Sequence, residues 1–586
     1  MTIFMFLALI LAALSAGSAA SNYHENLLLQ PLPPSSLLAS FNFKSNTTQT
    51  SFEQQHFRYF PRALGQILQH ANTRELHLRF TTGRWDSESW GSRPWDGAKE
   101  GGTGVELWAW IEAADDETAF SKWITLTQSL SGLFCASLNF IDSTRTTRPV
   151  ASFEPAGDLP SENLHLLHGT LPGEVVCTEN LTPFLKLLPC KGKAGVASLL
   201  DGHKLFDAAW QSMAIDVRPV CLQEGECLVQ VDQTVDIVLD VERSKRPRGN
   251  PIPRPVPADR LVCDTSKPYH SQDTCYPLEK TAGEGWSISE LFGRTISGSC
   301  PLADNQDEET VCLRTSPARE IHPSPDTDAK LFDQFTRCYT PPASEPFDLK
   351  VSEQMTDIAS NVPLEEPVLH AERTIVGHGQ ERGGMRIIFD NPSSEKAVDF
   401  NYFETLPWFL RPYIHTLQAS ITTDGIRRQA PAAEFIRETF YRPGIDRERG
   451  TQLELALSVP PASTVTLTYD FEKAILRYTE YPPDANRGFN VAPAVIKIAA
   501  QKPIYIRTTS LLLPLPTPDF SMPYNVIILT STVIALAFGS IFNLLVRRFV
   551  TAEEAAAITA QTFKGRLRGK IVALRDKIKG KSAKVE

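Results

Sequence analysis

The chain has 586 residues, 42% hydrophobic and 22% charged, with 43 prolines, 10 cysteines, 12 histidines and a net charge of −10. That balance is ordinary for a folded protein, and prolines scattered so widely favour short strands and turns over long helices. Sparse histidine and the lack of any Cys-x-x-Cys spacing speak against a zinc site.

Residues 1–20 form a short apolar run ending in Ser18, Ala19 and Ala20, the pattern of a cleaved signal peptide, with a signal anchor as the alternative. An entry signal puts ten cysteines in an oxidising compartment, where disulfides persist. If one cysteine leaves for a partner, nine remain and at least one more is free. Asn46 and Asn180 open Asn-x-Thr sequons, acceptor sites for N-linked glycans that are expected at the surface if used.

Residues 21–242 read as a β-rich N-terminal domain. Leu76, Leu78 and Phe80 alternate, as do Val105, Leu107, Ala109 and Ile111, each set marking one face of a strand. The Trp-rich segment between them reads as a loop burying its own indoles, with a sugar-binding platform as the alternative. From Asp116 to Phe134 the period changes: Phe120, Trp123, Leu130 and Phe134 lie on one helical face, with Asp115 or Asp116 available as the cap. VVCTENLTPFLKLLPC (175–190) places two cysteines and a sequon within sixteen residues. Cys221 and Cys227, six apart, are candidates for a small internal loop, and Cys190 and Cys300 are further candidates for intrachain bridges; spacing alone does not fix the connectivity.

Residues 243–368 read as a loop-rich, cysteine-containing linker region, with a Pro/Arg stretch over 244–260 and an acidic, aperiodic one over 303–330. Residues 369–515 are predicted to form a membrane-proximal β-sandwich. Within it Leu453, Leu455, Leu457 and Val459 alternate, then Val465, Leu467, Tyr469 and Phe471, with Pro-Pro-Ala-Ser between, which reads as a hairpin. Residues 523–546 are predicted to be a transmembrane helix, since Val526 to Val546 are 21 residues with no charged side chain. Residues 547–586 form a basic tail of net +7, so residues 21–546 carry −17. Positive charge held beside the span marks the cytoplasmic side, which gives type I topology with the bulk of the chain lumenal. The tail's Lys and Arg suit anionic headgroups; beside a span, nucleic acid is not expected as a partner. The fold class is therefore mainly β, with β-sandwich-like domains, a few helices and one C-terminal transmembrane helix.

No catalytic motif is present: no G-x-S-x-G elbow, no H-E-x-x-H pair, no phosphate loop. No cofactor, metal or catalytic residue is assigned. A lumenal scaffold is the expectation, and a membrane-anchored hydrolase or glycan-processing enzyme is the alternative.

The motifs YHENLLLQPLP (23–33), LSGLFCASLNFIDST (130–144), VVCTENLTPFLKLLPC (175–190), VRPVC (217–221), ETLPWFLRPYIHTL (404–417), YTEYPPDANRGFNVAP (478–493) and LPTPDFSMPYNVI (515–527) together resemble the PIG-T family. That family is the non-catalytic subunit of the glycosylphosphatidylinositol (GPI) transamidase of the endoplasmic reticulum membrane. The resemblance implies a structural subunit that positions the caspase-like catalytic subunit, PIG-K, during attachment of GPI anchors to proproteins. Cys177 matches the position of the family's intermolecular disulfide to PIG-K; an internal Cys177–Cys190 bridge is the other reading. The implied partners are that subunit, the other membrane subunits of the transamidase and, indirectly, the proprotein and the GPI lipid.

Overall fold

The computed structural model describes residues 22–159, 162–221, 227–245, 261–263, 275–277, 285–303, 310–325, 327, 329–353, 362–377, 379–482, 484–517 and 521–582. The expected signal peptide, and the Pro/Arg stretch from 246 onward, lie outside the described residues. The chain is mainly β and divides into two units, Met1–Pro516 and Thr517–Glu586.

The first unit contains two β bodies. The first body is an eleven-stranded sheet. Its strands are β1 (Tyr23–Leu32), β2 (Ser36–Thr48), β3 (Thr73–Thr82), β4 (Gly104–Glu112), β5 (Thr146–Thr147), β6 (Leu164–Leu171), β7 (Trp210–Cys221), β8 (Cys227–Asp240), β9 (Val311–Arg314), β10 (Ala329–Leu331) and β11 (Thr336–Tyr339). They lie in the order β10-β11-β9-β1-β2-β8-β7-β3-β4-β6-β5, antiparallel throughout except where β9 joins β1 in parallel. Side chains alternate across a strand, so this sheet has two unlike faces. Leu76, Leu78, Phe80, Leu107, Ile111 and Ile215 face a dry core. That core is closed by α1 (Arg62–His70), α2 (Asp116–Phe134) and α3 (Thr178–Leu187), which contribute Leu64, Trp123, Leu130, Phe134 and Phe184. The intervening Glu75, His77, Arg79, Glu106, Asp216 and Asp236 point the other way and are buried as well.

Within residues 243–368, expected to be a linker region, the stretch from Trp286 to Val351 contributes strands and side chains to this body. Strands β9, β10 and β11 extend the sheet, and Trp286, Ile288, Leu291, Phe292, Phe347, Leu349 and Val351 enter its core. Strands of two to four residues are too short to show a period, which hid them in the sequence.

The second body is a sandwich of two five-stranded antiparallel sheets. One has the order β12-β13-β19-β15-β16 and the other β17-β18-β14-β20-β21. The strands are β12 (His370–Val376), β13 (Arg382–Asn391), β14 (Val398–Leu406), β15 (Leu410–Thr423), β16 (Ile426–Ala430), β17 (Ile436–Arg442), β18 (Thr451–Val459), β19 (Ser463–Lys473), β20 (Val495–Ile498) and β21 (Ile504–Arg507). Phe389 of one sheet packs 4.9 Å from Phe400 and 5.6 Å from Tyr402 of the other, ring to ring. The pair expected to be a hairpin is not one. β18 and β19 belong to different sheets, and Pro460, Pro461 and Ala462 carry the chain across the sandwich. Both strands turn an apolar face to the same core, so alternation could not distinguish a crossover from a hairpin.

The second unit holds α4 (Ser521–Val546), α5 (Ala552–Gln561) and α6 (Phe563–Ser582). Tyr524–Val546 is long and apolar enough to cross a membrane, and none of it is buried within the protein.

Candidate functional site: a thiol corner and a buried joint

The helix α2 starts on Asp115, whose carboxylate accepts a 2.8 Å hydrogen bond from the Thr118 amide. It ends where Cys135 adopts a left-handed conformation, with φ of +51°. Helix α3 starts at Cys177, its N-cap residue. One side chain fastens the two helix ends together. Asn180 Oδ1 accepts from the Cys177 amide at 2.9 Å, while Asn180 Nδ2 donates to the Phe134 carbonyl at 2.9 Å and to the Cys135 carbonyl at 3.4 Å. A second tie runs from the Ser137 amide to the Glu174 carboxylate at 2.8 Å. Phe184 and Leu181 anchor α3 in the core beneath.

This corner carries both free cysteines among the described residues, Cys135 exposed and Cys177 partly so. Val175 and Phe140, next to the two ties, are 78% and 61% exposed. Cys190, the alternative partner of Cys177, is bridged to Cys300 instead, with Cα atoms 6.0 Å apart. Cys221 and Cys227 bridge across the end of β7 and β8, and Cys312 and Cys338 bridge β9 to β11. The sequence singled out Cys177 but not Cys135, whose only signal is parity among ten cysteines.

The two sequons lie apart, and neither amide is free. Asn180 is 1% exposed with both amide atoms bonded inside the fold, so its expected place at the surface is corrected: a glycan on Nδ2 is incompatible with this packing. Asn46 on β2 is half-buried, donating to Asn22 Oδ1 at 2.7 Å and accepting from Gln230 Nε2 at 2.9 Å.

The polar face of the large sheet forms the second feature. His77 bonds Glu75 at 2.7 Å and also bonds Asp216; Asp216 takes Arg79 and Lys99 at 2.6 Å each, and Lys99 reaches Asp232 at 2.6 Å. Burial opposes a charge on Asp216, but Arg79, Lys99 and His77 hold its pKa well below the usual carboxylate range. Burial would lower the His77 pKa, yet Asp216 and Glu75 outweigh it and the pKa is raised. Next to this network the two β bodies meet. Arg507 of β21 grips Glu106 of β4 at 2.7 and 3.3 Å, both side chains almost wholly buried. Although burial raises the Glu106 pKa, Arg507 and His168 overcome it and hold the carboxylate ionised.

The loop before β6 completes the joint. Glu454 of β18 accepts the Val150 and Ala151 amides at 2.7 and 3.0 Å and the Ser152 hydroxyl at 2.7 Å. Phe153 stacks among Trp108, His168, Phe403 and Tyr505. The Trp-rich loop covers the rest: Trp85 packs edge-on to Trp90 and Trp210, whereas Trp95 stays 43% exposed. Gly97 closes it at φ of +70°, where an added Cβ would lie 1.9 Å from the Tyr505 carbonyl oxygen. Paired charges, aromatic packing and backbone contact lock the two bodies together.

Comparison with known proteins gives a consistent result. A family model described as the Gpi16 subunit, GPI transamidase component, matches residues 5–572. The chain is 40% identical to the GPI transamidase component GPI16 of Saccharomyces cerevisiae, over 95% of this chain and 93% of the relative. It is 36% identical to the GPI transamidase component PIG-T homolog of Schizosaccharomyces pombe, over 92% of each. It is 35% identical to the GPI-anchor transamidase component PIGT of Homo sapiens, over 90% of each.

Proposed function

Because this chain belongs to the Gpi16 family of GPI transamidase components, we propose that it is the structural subunit of an endoplasmic reticulum transamidase, not the catalytic one. It holds a caspase-like, PIG-K-type subunit through a disulfide from Cys177, with its β bodies in the lumen and its basic tail in the cytoplasm. The observation that carries this reading is the thiol corner. Six other described cysteines are bridged, while Cys177 and Cys135 are left free at a corner that also exposes Val175 and Phe140.

The mechanism is positional. A partner tethered by a disulfide meets its docking surface at high effective concentration instead of by free encounter. The acceptor amine of a lipid and the scissile bond of a proprotein must both reach the catalytic thiol at a fixed height above the bilayer. A body without internal hinges supplies that geometry, and the Glu106–Arg507 joint is what removes the hinge.

The docking role of the exposed Val175 and Phe140 is tested by co-purification from detergent extract. Val175→Asp with Phe140→Asp should lose most of the catalytic subunit under reducing conditions, while the body keeps its melting temperature. Undiminished co-purification would contradict the docking surface.

A further inference from the structure

Helix α6 carries a surface that the transamidase reading does not use. Phe563, Leu567, Ile571 and Leu574 recur at i, i+4, i+8 and i+11, which keeps them on one face. At about 100° per residue they fall within an arc of about 80°. All four are exposed, Phe563 by 81%. The same helical count puts Lys564, Arg568 and Arg575 along one border of the row and Arg566, Lys570 and Lys577 along the other. The opposite face carries Gly565, Gly569 and Ala573, which line a groove shared with Thr559 and Ala560 of α5. At Gly565 an added Cβ would lie 1.8 Å from the Thr559 carbonyl oxygen. The small residues therefore turn toward α5, and the apolar row turns away from it.

We propose that this row lies in the interface of an anionic membrane leaflet, with the bordering Lys and Arg reaching its headgroups. Two observations favour a bilayer over a soluble partner. Residues 547–551 alone separate α4 from α5, so the start of α5 is tethered within about 22 Å of the end of the apolar helix. Residues 563–582 hold eight Lys and Arg against one Asp, the complement of an anionic surface. A narrow apolar row bordered on both sides by long cationic side chains sinks to acyl depth while its charges stay at the headgroups. The proposal rests on α4 crossing a membrane and is independent of the transamidase reading.

Amide hydrogen exchange over residues 563–577 tests it, using the full chain in vesicles of phosphatidylcholine alone or with about 30% phosphatidylserine. Exchange should slow about tenfold or more in the anionic vesicles. Leu567→Glu with Ile571→Glu, or Lys564, Arg566, Lys570 and Lys577 all →Gln, should abolish that slowing while exchange in the β bodies stays unchanged. Equal exchange in both vesicles, or slowing that survives both variants, overturns the proposal. Slowing that appears only when a soluble acidic helix-binding protein is added assigns the row to a protein partner and overturns it too.

Discussion

Asn180 was visible in the sequence as a glycan acceptor, and its surroundings make it a clamp. A sequon specifies three residues; it says nothing of the Phe134 and Cys135 carbonyls, brought from 45 residues away. Asn180→Gln should leave the electrophoretic mobility of the untreated protein unchanged relative to wild type, whereas loss of a glycan there would show as a faster band that glycosidase treatment of both proteins makes equal. Asn180→Ala leaves the Cys177 amide and two carbonyls without their partner, a loss of about 1–3 kcal/mol, read as a lower denaturant midpoint.

Buried charge also makes stability depend on pH. Burial pushes the Glu25 carboxyl up to about 7 and that of Asp236 up to about 7. Raised carboxyl pKa values mean that the folded state binds protons the unfolded state has lost. This stability is complete below about pH 4.5 and is lost as pH rises through 7. His77, also raised, adds stability below its ordinary pKa that fades above it. Asp216 and Glu106 act oppositely, but only in stronger acid. The body should therefore melt at a higher temperature at pH 5.5 than at pH 7.5. Glu25→Gln should reduce that difference, and a melting temperature that rises with pH over this range would contradict the sign.

At the scale of elements, the sequence revealed whatever has a period. The 3.6-residue spacing over 116–134 and the alternation in 76–80 each reported one apolar face. Neither could report what covers the other face. Glu75, His77 and Arg79 sit between Leu76, Leu78 and Phe80 like the solvent side of an ordinary strand, yet they lie under the Trp-rich loop and the second body. Their partners Asp216 and Lys99 are distant in the chain, and Arg507, which grips Glu106, is 401 residues from it. Glu106→Gln strands the Arg507 guanidinium in a buried site, at a cost of about 3–5 kcal/mol. Limited proteolysis should then separate the two β bodies at protease levels that leave the wild type intact. Gly97→Ala should do the same by forcing the backbone away from Tyr505, since neither the φ of +70° nor the 1.9 Å approach tolerates a Cβ.

At the scale of the whole molecule, a unit of two β bodies precedes an apolar helix and a basic helical tail. The proposed role needs each part: the thiol corner to hold a partner, the joint to fix its distance, and the helix to fix the plane. Removal of residues 523–586 should release the β bodies as soluble protein and abolish GPI attachment in cells, and normal attachment by the truncated chain would contradict anchoring as a requirement. The covalent link is the centre of the account, and a non-reducing gel of membrane extract tests it most directly, with wild type beside Cys177→Ser and Cys135→Ser. A heavier band that collapses on reduction should be present in wild type and Cys135→Ser and absent in Cys177→Ser. Monomers in all three lanes, or a band lost only in Cys135→Ser, would contradict it.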